Sequence, residues 1–464
     1  MNWKTLRPST RTSSESWNSC TTNGSGMSAS TDQSVTDAAA TAAVADDSRI
    51  AAQWKPIVFL LMAFALILRV IMAFVVERHV QSAGRSFLIE GDANGYWELA
   101  QKIAAGQDYV IYGRHVLRVP GFPLLLAASI KLFGNSVLAA RLLLAVVGTG
   151  CCWLTYCLGR QVHSRRIGFW AALYVAICPL HIGNSVLILS ETLFTFWMLV
   201  SLLALLWLLR SGDEACDVAH AGTCSWRVVC RSLLTGALIG VTVLSRPGFL
   251  PWLIISCAAV PFLLKRSLAV RATVCAGLVT GCFLVLLPWA ARNATVTGHW
   301  VFTSLWSGPS LYDGLNPQAT GASDMQFFED DNVLARMSEF EMNQYYTQKS
   351  IEFARQNPGR VISLAASKAA AFLSPVPKFA RKAGWGVCVV CVICWAFLVV
   401  CTVAGLVSRQ WESSDLLVLL GPLLLFLLVH MVFVGSVRYR LPVEFPLSVL
   451  GAIGWRHLVL SKRD

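Results

Sequence analysis

Long apolar runs recur along this chain and constrain its fold more than any other feature. The first of them, Pro56–Val76, carries a single charged residue, Arg69, among aliphatic and aromatic side chains. About 20 such residues are enough for an α-helix to cross the hydrocarbon core of a bilayer. Because a bilayer offers no hydrogen-bond partners, each spanning segment must satisfy its own backbone groups, which an α-helix does. We therefore predict an all-α polytopic membrane protein.

Further apolar runs set the expected number of spans. The long ones are Val137–Leu158, Ile167–Ile182, Val186–Leu209, Ala272–Trp289, Trp385–Val407, Leu416–Val434 and Val443–Leu460. Two shorter runs, Leu233–Leu244 and Phe249–Leu264, flank a break at residues 245–248. The composition agrees, since 55% of the residues are hydrophobic and only 14% are charged, which is too apolar for a soluble domain. The pattern predicts a bundle of about ten transmembrane helices.

The distribution of basic residues predicts the orientation of this bundle. Basic side chains in short loops mark the cytoplasmic side of a membrane protein, and one side of the bundle collects Arg160, Arg210, Lys265, Arg409 and Arg456. Both termini are then cytoplasmic, and residues 77–136, 292–384 and 435–442 face outward. The net charge of +12 is mainly this topological signal, and the sequence has no basic soluble face that would bind nucleic acid.

Four regions follow from these patterns. Residues 1–55 are rich in Ser, Thr, Ala and Asp and are predicted to form a disordered cytoplasmic tail. Residues 56–291 form a transmembrane core that includes the first outward loop, 77–136. Residues 292–384 form an extracytoplasmic helical loop domain, and residues 385–464 are the C-terminal transmembrane helices. The chain has 15 Cys but none in the two large outward loops, so a disulfide framework is not expected there.

The outward loops contain signals for interfacial and surface helices. Asp92 is predicted to be the N-cap of a helix that runs to about Ala105. The segment Phe122–Phe133 is too short to span and is predicted to lie at the interface. In the second loop, Ser338 and Glu341 have the spacing of a capping box, which predicts a helix starting there.

A second helix is predicted at Arg360–Leu373, in the same loop. It would lie on the membrane surface through Ile362, Leu364 and Phe372, or alternatively pack back on the first helix.

Carboxylates and arginines at the outward side are the candidates for chemistry. A carboxylate held just outside a membrane can deprotonate a hydroxyl, while guanidinium groups hold a lipid phosphate. The candidate catalytic carboxylates are Asp92 and Glu191, and the candidate lipid-phosphate ligands are Arg118, Arg246, Arg292, Arg438, Tyr439 and Arg440. Alternatives remain open, since Asp92 could serve only as a helix cap and the arginines could contact lipid headgroups.

Several of these residues lie in motifs that follow one another in a known order. They are Asp92…Tyr96…Ala100 with Gly106, Arg118-Val119-Pro120-Gly121-Phe122-Pro123, Phe133-Gly134…Ala140-Arg141, Ser190-Glu191-Thr192-Leu193-Phe194, Leu244-Ser245-Arg246-Pro247, Pro288-Trp289…Arg292-Asn293 and Arg438-Tyr439-Arg440-Leu441-Pro442. On these motifs the chain resembles the GT-C superfamily of polyprenyl-phosphate-sugar-dependent glycosyltransferases. Within it, the chain is similar to the protein O-mannosyltransferase and lipid A aminoarabinose transferase families.

This resemblance implies a GT-C-like bundle with interfacial helices and an active site at the outer face. It implies that Asp92 is the general base. The sequence departs from the family at Ala93, where many relatives carry a second acidic residue. It also has Arg118-Val119-Pro120-Gly121 where some relatives have a Glu-Lys-Pro-Pro run. These departures leave the identities of the sugar and the acceptor open.

The predicted function is an inverting glycosyl transfer from a polyprenyl-phosphate sugar, with undecaprenyl phosphate as the carrier in a bacterial inner membrane. One carboxylate base is enough for a single displacement that inverts the anomeric centre. No cofactor is expected, although a divalent cation is not excluded. The acceptor hydroxyl could belong to a protein, to lipid A or to a glycan. The alternative is a polytopic transporter or a flippase-like protein of envelope assembly, for which we find no repeat of the break at residues 245–248.

Overall fold

The structure of this protein, a computed structural model, describes residues 29–210, 226–377 and 384–460. In these ranges the regular elements are helices, apart from one isolated bridge between Ile111 and Arg114. The prediction of an all-α fold is confirmed. The first 28 residues of the predicted disordered tail lie outside the described residues.

The described helices are numbered here in chain order. They are α1 (Ala29–Ser82), α2 (Glu90–Ala104), α3 (Gly121–Phe133), α4 (Val137–Val162), α5 (Arg165–Ile177), α6 (Pro179–Asn184), α7 (Glu191–Arg210), α8 (Trp226–Ser245), α9 (Pro251–Leu263), α10 (Leu268–Thr297), α11 (Ser307–Gly314), α12 (Phe327–Asp331), α13 (Val333–Arg336), α14 (Glu339–Gln356), α15 (Pro358–Leu373), α16 (Trp385–Ser408), α17 (Ser413–Val432) and α18 (Val437–Leu460). A 3₁₀ turn, Pro247–Phe249, precedes α9.

Eight of the described helices are long and apolar enough to cross a membrane: α1 (through its part Gln53–Ser82), α4, α7, α8, α10, α16, α17 and α18. The protein is therefore an integral membrane protein, as predicted. The remaining two predicted spans are short helical segments, α9 and the pair α5–α6. The helix that contains the run Leu233–Leu244, α8, is longer than the run. It begins at Trp226 and so includes Arg227 and Arg231 at its N-terminal end. Long arginine side chains can reach the interface while their backbone stays helical.

The predicted span Ile167–Ile182 is interrupted at Pro179. Proline has no N–H to donate, and it disfavours helical geometry in the residue before it. Helix α5 therefore ends at Ile177, and α6 begins at Pro179. The carbonyl groups left open at the end of α5 accept hydrogen bonds from Arg69, at 3.1 Å for Val175 and 3.5 Å for Ala176.

Helix α1 begins well before its membrane segment. We predicted disorder for residues 1–55, but the described part from Ala29 onward is helical. This part is rich in alanine, which has the highest helix propensity, and extending an existing helix avoids the cost of nucleating a new one. The other predicted region boundaries stay a prediction.

Glycines let α8 and α10 approach closely. A Cβ at Gly236 would lie 2.2 Å from the carbonyl oxygen of Leu278, and a Cβ at Gly281 would lie 2.1 Å from that of Leu233. Small residues at such positions allow the backbones of membrane helices to touch. The contact matters for the site below because the chain leaves α8 directly at Arg246.

The helices of the second outward loop follow their sequence signals. The capping box is confirmed, since Ser338 Oγ accepts from the Glu341 backbone N–H at 3.3 Å and Glu341 Oε2 accepts from that of Ser338 at 2.9 Å. Helix α15 makes the predicted contact with α14, and its contact with a membrane surface stays a prediction. Leu364 (2% exposed) packs with Phe353 of α14, whereas Ile362 is 72% exposed.

Polar contacts gather at both ends of the bundle. At the end predicted to be cytoplasmic, Arg210 pairs with Asp415 at 2.6 Å, and Arg456 lies 3.1 Å from His163. The opposite end carries the outward loops and the cluster described next. Which end faces the cytoplasm stays a prediction.

Candidate functional site

Asp92 lies in the first turn of α2 and contacts two arginines. The N-cap of α2 is Ile89, so the prediction that Asp92 caps this helix is wrong. Its carboxylate instead accepts hydrogen bonds from Arg118 Nη2 at 2.7 Å and from Arg438 Nη1 at 2.9 Å. One arginine comes from the first outward loop and the other from the start of α18. Two regions that are far apart in sequence therefore meet at Asp92.

Glu191 is the first residue of α7 and is fully buried (0% exposed). Its Oε1 accepts from Arg438 Nε at 2.5 Å and from Arg246 Nη1 at 3.1 Å. Its Oε2 is buried and has no hydrogen-bond partner within the described part of the chain. Arg438 thus bridges the two carboxylates and is the centre of the cluster.

The two carboxylates differ in access to solvent. The Asp92 side chain is 28% exposed, whereas the Glu191 side chain is closed off. Burial raises the pKa of Asp92, but Arg118 and Arg438 together outweigh that effect and hold its pKa below the ordinary value of 3.8. Asp92 is therefore an ionised carboxylate that a substrate can reach.

Arg118 is held by aromatic rings as well as by Asp92. Its guanidinium carbon lies 5.3 Å from the ring centre of Tyr96 and 5.8 Å from that of Trp306. Cation–π contacts of this kind fix the plane of a guanidinium. The sequence reasoning missed Trp306, because a single aromatic residue in a long loop gives no signal of its own.

The aromatic ring of Tyr439 contacts two arginines of the cluster. The ring centre is 4.7 Å from the guanidinium carbon of Arg246 and 5.6 Å from that of Arg438. The ring also stacks on His430, with the ring centres 4.3 Å apart. Tyr439 belongs to the cluster, and its predicted phosphate contact stays a prediction.

Arg292 does not join the cluster. Its guanidinium donates to the carbonyl oxygens of His115 at 2.6 Å and Tyr109 at 3.0 Å. These contacts hold the backbone of the first outward loop just before Arg118. Both terminal nitrogens of Arg292 are directed at this loop, and its predicted phosphate contact stays a prediction.

Arg440 is also directed elsewhere and is fully buried (0% exposed). It pairs with Glu444 at 2.7 Å and donates to the carbonyl oxygens of Phe372 and Ser374 at 2.9 and 2.7 Å. We predicted that Arg438 and Arg440 bind phosphate together from a loop. The chain is already helical from Val437, and residues two apart on a helix point about 200° apart.

Gly121 brings two parts of the cluster together. It starts α3, three residues after Arg118, and packs on the end of α8 just before Arg246. A Cβ on Gly121 would lie 2.6 Å from the carbonyl oxygen of Leu244. Such a contact forces the backbone to move, and the two arginines would move with it.

We expect Gly121→Ala to weaken binding of the predicted lipid-phosphate ligand by about tenfold or more, since small displacements of positioning groups have large effects. Gly91→Ala is the matched control, because a Cβ there meets nothing within 4 Å although the residue adjoins Asp92. Ligand affinity and thermal midpoint of both purified variants test this. Equal affinity in the two variants would show that the close contact at Gly121 is unimportant.

In the described ranges 29–210, 226–377 and 384–460, no group of three or more His, Cys, Asp or Glu side chains is arranged to hold a metal ion. The chemistry that the cluster itself can offer is that of a carboxylate base beside fixed guanidinium groups.

Similar proteins agree with this architecture. Residues 121–302 match the family model described as dolichyl-phosphate-mannose-protein mannosyltransferase. The undecaprenyl phosphate-α-4-amino-4-deoxy-L-arabinose arabinosyl transferase of Pseudomonas aeruginosa is 29% identical over 220 residues, which are 46% of this chain and 38% of that protein. The corresponding protein of Pseudomonas paraeruginosa matches over the same share. The chain therefore spans less than half the length of these curated relatives.

The fold is similar to a solved archaeal structure. The oligosaccharyltransferase of Archaeoglobus fulgidus, tethered to an acceptor peptide, aligns with a TM-score of 0.52 and 16% identity. The alignment covers 88% of this chain and 50% of that one. This structure shows a similar fold, and the family-model and curated matches support the resemblance to the GT-C superfamily that we predicted from the motifs. The family match includes Glu191 and Arg246, whereas Asp92 and Arg438 lie outside the matched residues.

Proposed function

We propose that this protein is an inverting glycosyltransferase that moves a sugar from a polyprenyl-phosphate donor to an acceptor hydroxyl at the outward face of the membrane. The observation that carries this proposal is the accessible carboxylate of Asp92 held between Arg118 and Arg438 at the end of the helix bundle. The names of the sequence relatives support it, since the Pseudomonas proteins are described as arabinosyl transferases that use an undecaprenyl phosphate sugar.

In the proposed reaction the acceptor oxygen attacks C1 of the sugar. The acceptor O–H proton passes to a carboxylate oxygen of Asp92, the new C1–O bond forms, and the bond between C1 and the phosphate oxygen breaks. The electron pair of that bond stays on the phosphate, which remains attached to the lipid. A single displacement of this kind inverts the anomeric centre, by analogy with inverting glycosidases.

The guanidinium groups stabilise the charge that develops on the leaving phosphate. A guanidinium has five N–H donors, and Arg118 and Arg438 each use one terminal nitrogen on Asp92. Arg438 also uses Nε on Glu191. The remaining N–H groups of both arginines can bind phosphate oxygens, and Arg246 adds a third positive charge. Donors fixed in place before the reaction lower the barrier more than donors that must reorient.

Glu191 has a different role in this proposal. It is buried and holds Arg246 and Arg438 through one oxygen. Its other oxygen is buried and lacks a partner among the described residues, so it could accept from a hydroxyl of the sugar or the acceptor only if the bound substrate displaces the groups that cover it. Glu191 thus fixes the arginines and can orient a substrate, while Asp92 takes the proton.

The carrier and the location follow from the same proposal. In a bacterial host the donor would be an undecaprenyl phosphate sugar in the inner membrane, with both termini of the chain in the cytoplasm. The acceptor is a hydroxyl of a protein, of lipid A or of a glycan.

Sugar release from radiolabelled polyprenyl-phosphate sugars by the purified full-length protein in detergent tests the function. We expect binding of undecaprenyl phosphate and transfer or slow hydrolysis of one donor in a panel. Absence of polyprenyl-phosphate binding would refute the enzyme proposal and favour a transporter.

The low pKa of Asp92 makes a prediction for pH dependence. Because Arg118 and Arg438 outweigh burial and hold this pKa below 3.8, the base is ionised at neutral pH and is lost only in strong acid. The rate of transfer should therefore stay flat between about pH 8 and about pH 5. Arg118→Met removes one of the cations that lower the pKa of Asp92. The fall in transfer rate at acidic pH should therefore begin at a higher pH in this variant. An acid limb at the same pH in both proteins would contradict the assignment of Asp92 as base.

A further inference from the structure

Lys368 is a buried charged residue that the proposed reaction does not use. It lies on α15 in the second outward loop and is fully buried (0% exposed). Lysine is rarely buried unless its ammonium group is paired or hydrogen-bonded. The position of this side chain therefore points to a specific partner.

The partner is the end of a membrane helix. Lys368 Nζ donates a hydrogen bond to the carbonyl oxygen of Val432 at 2.7 Å, and Val432 is the last residue of α17. Carbonyl groups at a helix C-terminus lack intrahelical partners and favour a nearby cation. Burial lowers the pKa of Lys368 to about 8, and the nearby Asp313 opposes that effect.

Close backbone contacts surround the same point. The turn between α17 and α18 comprises residues 433–436, and a Cβ on its Gly435 would lie 2.2 Å from the carbonyl oxygen of Lys368. A Cβ on Gly314, at the end of α11, would lie 2.7 Å from the carbonyl oxygen of Phe433 and 3.0 Å from Lys368 Nζ. The turn is therefore enclosed by α11 and α15.

The side of the turn that faces the bundle is also fixed. His430 Nδ1 lies 2.8 Å from the carbonyl oxygen of Val434. The backbone N–H of Arg438 donates to Ser436 Oγ at 3.4 Å, directly after the turn. Arg438 then reaches Asp92 and Glu191. A displacement of the turn thus passes to the guanidinium that bridges the two carboxylates.

We infer that Lys368 is a positioning residue that fixes the α17–α18 turn, and through it holds Arg438 in place for the donor phosphate. This inference rests on the proposed function, in which Arg438 binds that phosphate. It links the second outward loop to the donor site by contacts that involve neither carboxylate directly.

The test is binding of undecaprenyl phosphate to purified full-length variants in detergent. Lys368→Met keeps the volume of the side chain and removes its ammonium group. We expect its affinity to fall by about tenfold or more, with a thermal midpoint close to that of the wild type. Lys349→Met is the control, since this lysine lies on α14, pairs with Asp331 at 3.0 Å and is 34% exposed. Its affinity should match the wild type.

A double-mutant cycle separates positioning from a general structural effect. If Lys368 acts through Arg438, adding Lys368→Met to Arg438→Met should cause no further loss of affinity. Gly314→Ala offers a second route should Lys368→Met fail to fold, because its methyl group would press on the turn at Phe433 and on Lys368 Nζ while the lysine charge is kept. Gly314→Ala should weaken binding of undecaprenyl phosphate in the wild-type background and cause no further loss of affinity in the Arg438→Met background.

The outcomes distinguish the two proposals. Wild-type affinity in Lys368→Met, or in Gly314→Ala if that variant replaces it, overturns the inference about the turn while leaving the proposed function intact. A loss that adds fully to that of Arg438→Met does the same. If the wild-type protein does not bind undecaprenyl phosphate, both proposals fail.

Discussion

Replacing Asp92 with asparagine is expected to reduce sugar transfer by about 10²- to 10⁴-fold, the usual contribution of a general base. The amide cannot take the acceptor proton, although it keeps the size of the side chain. Binding of polyprenyl phosphate should persist or strengthen. The reason is that Asp92 now occupies Arg118 and Arg438 at 2.7 and 2.9 Å, and removing its charge frees them for the phosphate.

Single-turnover transfer and lipid-phosphate binding, measured on the same preparation, check this expectation. Asp108→Asn is the control, since Asp108 is an exposed aspartate of the same loop and should behave like the wild type. If Asp92→Asn transferred sugar at the normal rate, Asp92 would not be the base, and Glu191→Gln would be the next variant to measure.

Replacing Arg438 with methionine is expected to have the largest combined effect on binding and stability. Among the described residues, Arg438 is the one that forms ion pairs with both carboxylates of the cluster, at 2.9 Å for Asp92 and 2.5 Å for Glu191. Its loss removes a phosphate ligand and leaves the buried Glu191 with Arg246 alone. Removing one partner of a buried ion pair lowers the free energy of unfolding by about 3 kcal/mol, and we expect donor affinity to fall by about 10²-fold.

A second substitution separates these two effects. In Arg438→Met/Glu191→Gln the buried charge is gone, so the thermal midpoint should recover while donor affinity stays low. Arg85→Met is a control in the first outward loop, because Arg85 is 60% exposed and its ion pair with Glu90 is long, at 4.0 Å. Recovery of donor affinity in the double variant would mean that Arg438 acts only by stabilising Glu191.

The sequence predicts the membrane fold well because length and apolar composition nearly determine a spanning helix. The predicted helix boundaries are wrong where something other than apolar composition sets the end of a helix. Helix α8 is longer than its apolar run because its backbone stays helical past two arginines. The predicted span at Ile167–Ile182 breaks at Pro179, a stop signal that apolarity hides.

The candidate site was predicted in part. Asp92, Glu191, Arg118, Arg246 and Arg438 meet as one cluster, although they come from separate parts of the chain. Two features of the site could not be predicted from the sequence. The direction of a side chain depends on where a helix begins, which separates Arg440 from Arg438. Close backbone contact, as at Gly121, depends on the neighbour that the fold supplies.

The charges of the cluster also bear on how a product would leave. Three guanidinium groups face two carboxylates, an excess of one positive charge that a sugar phosphodiester would neutralise. In the proposed reaction the lipid phosphate becomes a monoester, which carries about −1.5 to −2 charges at neutral pH, while Asp92 would hold the proton. Once that proton escapes to water, the occupied site becomes negative. Reionisation of Asp92 would then repel the spent carrier and reset the enzyme for another turnover.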